Sequence, residues 1–171
     1  MLRRLWDATF PEEPFQPRGA KWGDLGFQGL DPATDFRGGG VLALHQLVAF
    51  AQEHPRTTAR YIELSRARGI EWFGLAITGI NVTVTLLALV AGHQLDSVFF
   101  KYGTQLRVFD GLFATALVDL ADNWDALQKE RERKGERNVT QMDFPFLLRK
   151  TMEEMVARAQ AGKLRLYDDI A

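Results

Sequence analysis

The chain has 171 residues, of which 46% are hydrophobic and 25% charged, the composition of a soluble globular protein with a core of its own. Its 21 Lys and Arg stand against 22 Asp and Glu, a net charge of −1, so the basic excess of a dedicated nucleic-acid binder is missing. No cysteine is present, which excludes disulfides, thiolate metal sites and a catalytic thiol within these residues.

The N-terminus reads Met1-Leu2-Arg3-Arg4-Leu5-Trp6-Asp7, and no apolar stretch follows its two arginines. A secretory signal requires such a stretch, so a cytoplasmic location is expected. The triplets Asn81-Val82-Thr83 and Asn138-Val139-Thr140 are then chance matches to the glycosylation pattern. The first 36 residues are expected to be irregular, because they hold Pro11, Pro14, Pro17 and Pro32 together with Gly19, Gly23, Gly26 and Gly29. Trp6, Phe10, Phe15, Trp22, Phe27 and Phe36 fall in the same stretch, so it is read as a loop packed on the core.

Helical texture begins after Gly40, where Val41, Leu44, Leu47, Val48 and Ala51 form one apolar stripe. Pro55 ends or kinks that helix. A polar helix is expected from about Arg56 to Arg68, closed by Gly69. The apolar run from Trp72 to Leu95 is long enough to span a bilayer, but Thr78, Asn81, Thr83 and Thr85 interrupt it. It is read as a fully buried helix, and no transmembrane span is expected. A short helix is expected over Ser97–Tyr102, ending at Gly103. A long one follows, with Leu106, Phe109, Phe113, Leu117, Leu120, Trp124 and Leu127 on one face. The mixed charges of Lys129-Glu130-Arg131-Glu132-Arg133-Lys134 read as its solvated end. Thr140 and Asp143 fit a capping box, with Val139 and Phe144 as a hydrophobic staple, before a last helix whose apolar face is Phe144, Leu148, Met152, Met155 and Ala159. No segment alternates like a strand. The expected fold is all-α: a single compact helical domain over 1–171, with about five to seven helices and an ordered, aromatic-rich N-terminal loop region.

Chemical motifs are sparse. His45, His54 and His93 lack metal-ligand spacing, so no metal site is expected. Neither of the two serines, Ser65 and Ser97, lies in a nucleophile motif. Gly38-Gly39-Gly40-Val41-Leu42-Ala43 matches a loose dinucleotide-binding pattern, but no strand precedes it, and the glycines read as a tight turn into a helix. Arg37 stands immediately before them. A guanidinium projecting from such a turn suits phosphate oxygens. Paired with Asp35 or Asp31, it would instead lock the loop.

The stretch from Trp22 to Gly40, WGDLGFQGLDPATDFRGGG, fills every specified position of the pattern W-x-x-x-G-F-Q-G-x-x-P-x-T-D-F-R-G-x-G. It resembles the signature of the ELMO (engulfment and cell motility) domain, with the signature segment spanning 21–50. Gly79-Ile80-Asn81-Val82-Thr83, Leu5-Trp6 with Phe10-Pro11, and Met142-Asp143-Phe144 resemble further parts of that family. The sequence departs from it at Ala43, where members often carry Gly, and around Glu71-Trp72-Phe73-Gly74, where the usual Pro-Phe-Ala is absent.

The resemblance implies an all-helical fold and, closest of all, an ELMOD-type protein, in which the domain is nearly the whole protein. Such proteins are GTPase-activating proteins for Arf and Arl small GTPases, and the arginine of D-F-R-G, their proposed catalytic arginine, carries over to Arg37. It further implies an Arf/Arl-family GTPase in the GTP-bound form as partner, with GTP and Mg²⁺ belonging to that partner, no cofactor of the chain's own, and any membrane contact made peripherally. In this reading Gly38, Gly39 and Gly40 supply the turn and Asp35 orients the guanidinium. Gln28 and Thr34 hold the loop through its backbone, and Trp22, Phe27 and Phe36 pack. Two alternatives stand beside it. One is a non-catalytic adapter or effector module, like the larger ELMO adapters that work with DOCK exchange factors on Rac, in which Arg37 is structural. The other is a membrane-surface scaffold using Arg56, Arg60, Arg66 and Arg68.

Overall fold

A computed structural model describes residues 1–167. Among them are seven α-helices, four 3₁₀ turns and no strand, so the fold is all-α. The helices are α1 (Leu2–Thr9), α2 (Gly40–Glu53), α3 (Pro55–Arg68), α4 (Leu75–Ala91), α5 (Asp96–Tyr102), α6 (Leu106–Lys134) and α7 (Phe144–Gln160). The described residues form two compact units: Met1–Gly69 with Phe73–Val84, and Ile70–Trp72 with Thr85–Tyr167.

In the first unit the N-terminal stretch is less irregular than its prolines suggest. Residues 2–9 form α1, which buries Leu5 and Trp6, and 3₁₀ turns occupy Ala20–Leu25 and Pro32–Arg37. The aromatics pack edge to face in sequence. Trp6 meets Trp22 at 5.0 Å between ring centroids, Trp22 meets Phe27 at 5.4 Å, and Phe27 meets Phe36 at 5.6 Å. Buried pairs of this geometry each add about 0.5–1.5 kcal/mol to the burial of the rings. The indole N–H groups of Trp6 and Trp22 donate to the carbonyls of Glu13 and Gln16 at 3.0 Å, which fixes the loop between them.

The backbone of Gly26 lies so close to that of Gly74 that a Cβ on Gly26 would stand 2.4 Å from the Gly74 Cα. Gly26 also has φ +88°, so this crossing admits no side chain.

Helix α2 buries Ala43, Gln46, Leu47, Val48, Phe50 and Ala51. Val41, expected on that stripe, is 73% exposed, because it sits on the first helical turn at the surface. His54 separates α2 from α3, and Pro55 is the first residue of α3, where its missing N–H costs nothing. The burial expected of α4 holds over its first half, and in its second half only Leu86 is buried. Leu75, Ala76, Ile80, Val82 and Leu86 are buried, and Thr83 donates to Gln46 Oε1 at 2.6 Å. Val84 and Leu87 are exposed, which corrects the reading of a helix buried throughout. No single helix among the described residues is long and apolar enough to cross a membrane, although α3 and α4 taken together, bent by 93°, reach that length and composition.

The second unit is built on α6 and α7. Val108, Leu112, Phe113, Leu117, Leu120 and Trp124 of α6 are buried, with Leu147, Met152, Met155 and Ala159 of α7. The face of α7 is rotated from the expected one, since Phe144 and Leu148 are only half-buried and Leu147 and Thr151 take the interior. The charge run stays helical to Lys134 and is capped by left-handed Gly135. Asp143 and Thr140 form the expected capping box at the 3₁₀ turn Gln141–Asp143, which runs into α7.

Candidate functional site: the Arg37 loop

The site belongs to the first unit. Its base is the 3₁₀ turn Pro32–Arg37, opened by Asp31, whose Oδ1 accepts the Ala33 N–H at 3.1 Å. The other oxygen of Asp31 pairs with Arg18 Nε at 2.8 Å. Thr34 Oγ1 donates to the Asp31 carbonyl at 2.8 Å and closes the turn. Asp35 then ties this turn to the preceding loop: its Oδ2 accepts the Gln28 N–H at 2.8 Å, and its Oδ1 accepts from Thr34 Oγ1 at 3.3 Å. From beneath, the half-buried Phe36 ring rests on Phe27, the outer end of the aromatic series.

Arg37 ends the turn and is exposed. Its Nε donates to the Thr34 carbonyl at 3.2 Å. Among the described residues no carboxylate pairs with it, so neither expected ion pair, to Asp35 or to Asp31, is formed. The guanidinium of this exposed residue is thus held at its root by a main-chain oxygen, and its two terminal nitrogens carry four N–H donors that no group among the described residues takes up. That is the arrangement needed to receive phosphate or carboxylate oxygens from another molecule.

The three glycines differ in what they do. Gly38 continues the right-handed turn at φ −82°. Gly39 cannot carry a side chain, because a Cβ would stand 2.6 Å from the Ala43 Cβ. Gly40 has φ +56°, the left-handed residue that redirects the chain into α2. Ala43, the departure from the family pattern, is fully buried against this bend.

Of the residues singled out by sequence, Arg37, Asp35, Thr34, Gln28, Gly38, Gly39 and Gly40 all come together here. Two act differently from expectation. Asp35 orders the loop and does not touch the guanidinium; the acceptor that orients Arg37 is the Thr34 carbonyl. Gln28 contributes its main-chain N–H, and its side chain is exposed. Asp31 and Arg18 also hold the turn. Sequence alone offered only the Asp31-Pro32 pair as a signal of a capped turn. Among the described residues no group of three or more His, Asp or Glu is placed to hold a metal ion.

Residues 1–148 match the family model described as the ELMO/CED-12 family. The chain is 39% identical over 146 residues to ELMO domain-containing protein B of Dictyostelium discoideum, with 84% of this chain and 49% of that protein covered. It is 36% identical over 174 residues to ELMO domain-containing protein 1 of Mus musculus, covering 85% and 53%. To ELMO domain-containing protein 2 of Mus musculus it is 39% identical over 104 residues, covering 60% and 35%. The chain spans about half the length of the first two of these relatives, in place of the nearly whole length expected. No solved structure matches it significantly. Residues 1–148 include the signature segment and the Arg37 loop, and the chain belongs to the ELMO/CED-12 family.

Proposed function

We propose that the chain is a GTPase-activating protein for Arf/Arl-family small GTPases, with Arg37 acting in trans as an arginine finger. One observation carries the reading. Arg37 is exposed, its only hydrogen-bond partner among the described residues is a main-chain carbonyl, and the loop that bears it is fixed by bonds that leave the guanidinium free. A structural arginine would spend its donors on the protein's own carboxylates.

The domain docks on the GTP-bound GTPase, which brings its own nucleotide, Mg²⁺ and water-positioning residue. The terminal nitrogens of Arg37 meet the oxygens of the β- and γ-phosphates, where negative charge shifts as the bond to the γ-phosphoryl group breaks. An arginine supplied in trans accelerates hydrolysis by about 10³–10⁵. That corresponds to about 4–7 kcal/mol of transition-state stabilisation. A side chain delivers this only when little reorganisation remains at the moment of reaction. Anchoring of Nε by Thr34 and of the turn by Asp31 and Asp35 meets that condition.

The test is single-turnover GTP hydrolysis across a panel of Arf and Arl proteins, with Arg37→Ala and Arg37→Lys beside the unaltered chain. Stimulation that vanishes in both variants while their thermal melts stay unchanged is the expected result. Variants that bind and stimulate like the unaltered chain would overturn the arginine-finger role. Binding of the GTP form without faster hydrolysis in the unaltered chain would make the domain an adapter.

A further inference from the structure

The surroundings of Arg37 are as unusual as the residue itself. Helix α2, which starts three residues later, has no Asp, Glu, Lys or Arg before Glu53, and α4 has none at all. The glycine segment lies against α4: a Cβ on Gly38 would stand 3.5 Å from Val84 Cγ2, and one on Gly39 would stand 3.7 Å from Ile80 Cγ2. Ile80 is buried, but Val84, one turn further along α4, is 40% exposed, and Val41 at the start of α2 is 73% exposed. The carboxylates closest in sequence, Asp31 and Asp35, are engaged within the loop. One outward cation therefore stands beside bare glycine backbone and two exposed valines, all within the first unit.

We propose that Val41 and Val84, with the backbone of Gly38, form the docking surface for the partner GTPase. This rests on the reading of Arg37 as the residue that reaches the nucleotide. The occupant is a protein surface that presents apolar side chains beside a bound nucleoside triphosphate. Charge and continuity both select it: a cation that reaches the nucleotide meets its phosphate oxygens, and the apolar surface adjoining the cation calls for an apolar complement. A free nucleotide would satisfy the arginine and leave the valines wet. Burying the valines around the contact also keeps water from the guanidinium–phosphate bonds, which strengthens them.

Val41→Ser and Val84→Ser remove apolar area at surface positions of similar helix propensity, so the fold is retained. Each is expected to weaken binding about tenfold, and the pair about a hundredfold if the effects add. Binding of the full chain to GTPγS-loaded Arf and Arl proteins is measured by calorimetry. In parallel, the GTPase concentration giving half-maximal hydrolysis is measured. The double variant is expected to raise both constants, whereas Arg37→Ala is expected to lower the maximal rate and keep most of the affinity. A folded double variant that binds as tightly as the unaltered chain overturns the docking surface and leaves the arginine finger standing. Weakened binding by the double variant, in a chain that never stimulates hydrolysis, supports the docking surface and removes the arginine finger.

Discussion

Replacing Asp35 with alanine separates the order of the loop from the chemistry of its arginine. The substitution removes two hydrogen bonds to a carboxylate, from Gln28 N at 2.8 Å and from Thr34 Oγ1 at 3.3 Å. Bonds to a charged group are each worth about 1.5–3 kcal/mol when buried. Asp35 is only half-buried and the second bond is long, so water recovers much of that, and the net loss is about 1–2 kcal/mol. The loss falls on the loop, because neither bond joins helices. If Arg37 acts from the ordered loop, the ratio of ordered to disordered loop falls by a factor of about 5–30, and the competent population falls by up to that factor. The maximal stimulated rate of GTP hydrolysis should drop with it, by at most that factor. The melting temperature should fall by no more than about 2–8 °C, the range for 1–2 kcal/mol in a chain of this length. Asp35→Asn keeps one oxygen acceptor and should lie between. A stimulated rate in Asp35→Ala equal to that of the unaltered chain would refute the argument that loop order sets the power of Arg37.

The glycines give two stability predictions of different size. Gly40→Ala places a Cβ at φ +56° in open space, which costs the strain alone, about 1–2 kcal/mol, read as a lower urea midpoint. Gly26→Ala adds to its φ of +88° a collision with the Gly74 backbone at 2.4 Å, so it should cost more than 4 kcal/mol and lower soluble yield. Equal urea midpoints for the two variants would show that the crossing of Gly26 and Gly74 relaxes freely.

Much of this was legible in the sequence where one helix decides its own face. The spacing along Phe109, Phe113, Leu117, Leu120 and Trp124 describes the buried face of α6, whereas Leu106 and Leu127, expected on it at either end, are 51% exposed and half-buried. Pro55, Gly103 and Gly135 mark boundaries for local steric reasons. Helix α1 was hidden because eight residues with two arginines and prolines soon after make too short a pattern, and its burial comes from Trp22 and other distant rings. Val41 and Val84 repeat at helical spacing like their buried neighbours, and only tertiary packing decides that they stay uncovered. At the site, the side chains were legible and their partners were not. The acceptors of Arg37 and Thr34 are main-chain carbonyls, which no residue identity announces, and the bond from Gln28 to Asp35 depends on how the loop turns back.

Acid stability should reveal two carboxylates of opposite sign in the second unit. Asp143 accepts both terminal nitrogens of Arg131, at 2.9 and 2.7 Å, both of Arg137 at 3.0 Å, and the Thr140 N–H at 3.0 Å. The Arg131 bonds, helped by those from Thr140 and Arg137, hold its carboxyl well below the ordinary range, against an upward push from burial that is second only to the Arg131 bonds. A lowered carboxylate contributes stability that is complete above its unfolded value of about 3.9 and is lost as the pH falls below that toward the folded value. Asp119 goes the other way. Burial raises its carboxyl more than the bond from Arg158 lowers it. A raised carboxylate binds its proton more readily in the folded chain, so lowering the pH through the folded value adds stability. Asp143→Asn should therefore cost about 3 kcal/mol at pH 7, where two arginines lose their shared anion, and converge on the unaltered chain between about pH 4 and pH 2. Asp119→Asn imitates the protonated acid, so its difference from the unaltered chain at pH 7 should have the opposite sign and should shrink as the pH falls and Asp119 takes up its proton. Urea unfolding at each pH from 7 to 2 reads both curves. A constant offset for Asp143→Asn across that range would mean that the two arginines bind an uncharged amide as well as they bind the carboxylate, and the ion cluster would then contribute geometry alone to the start of α7.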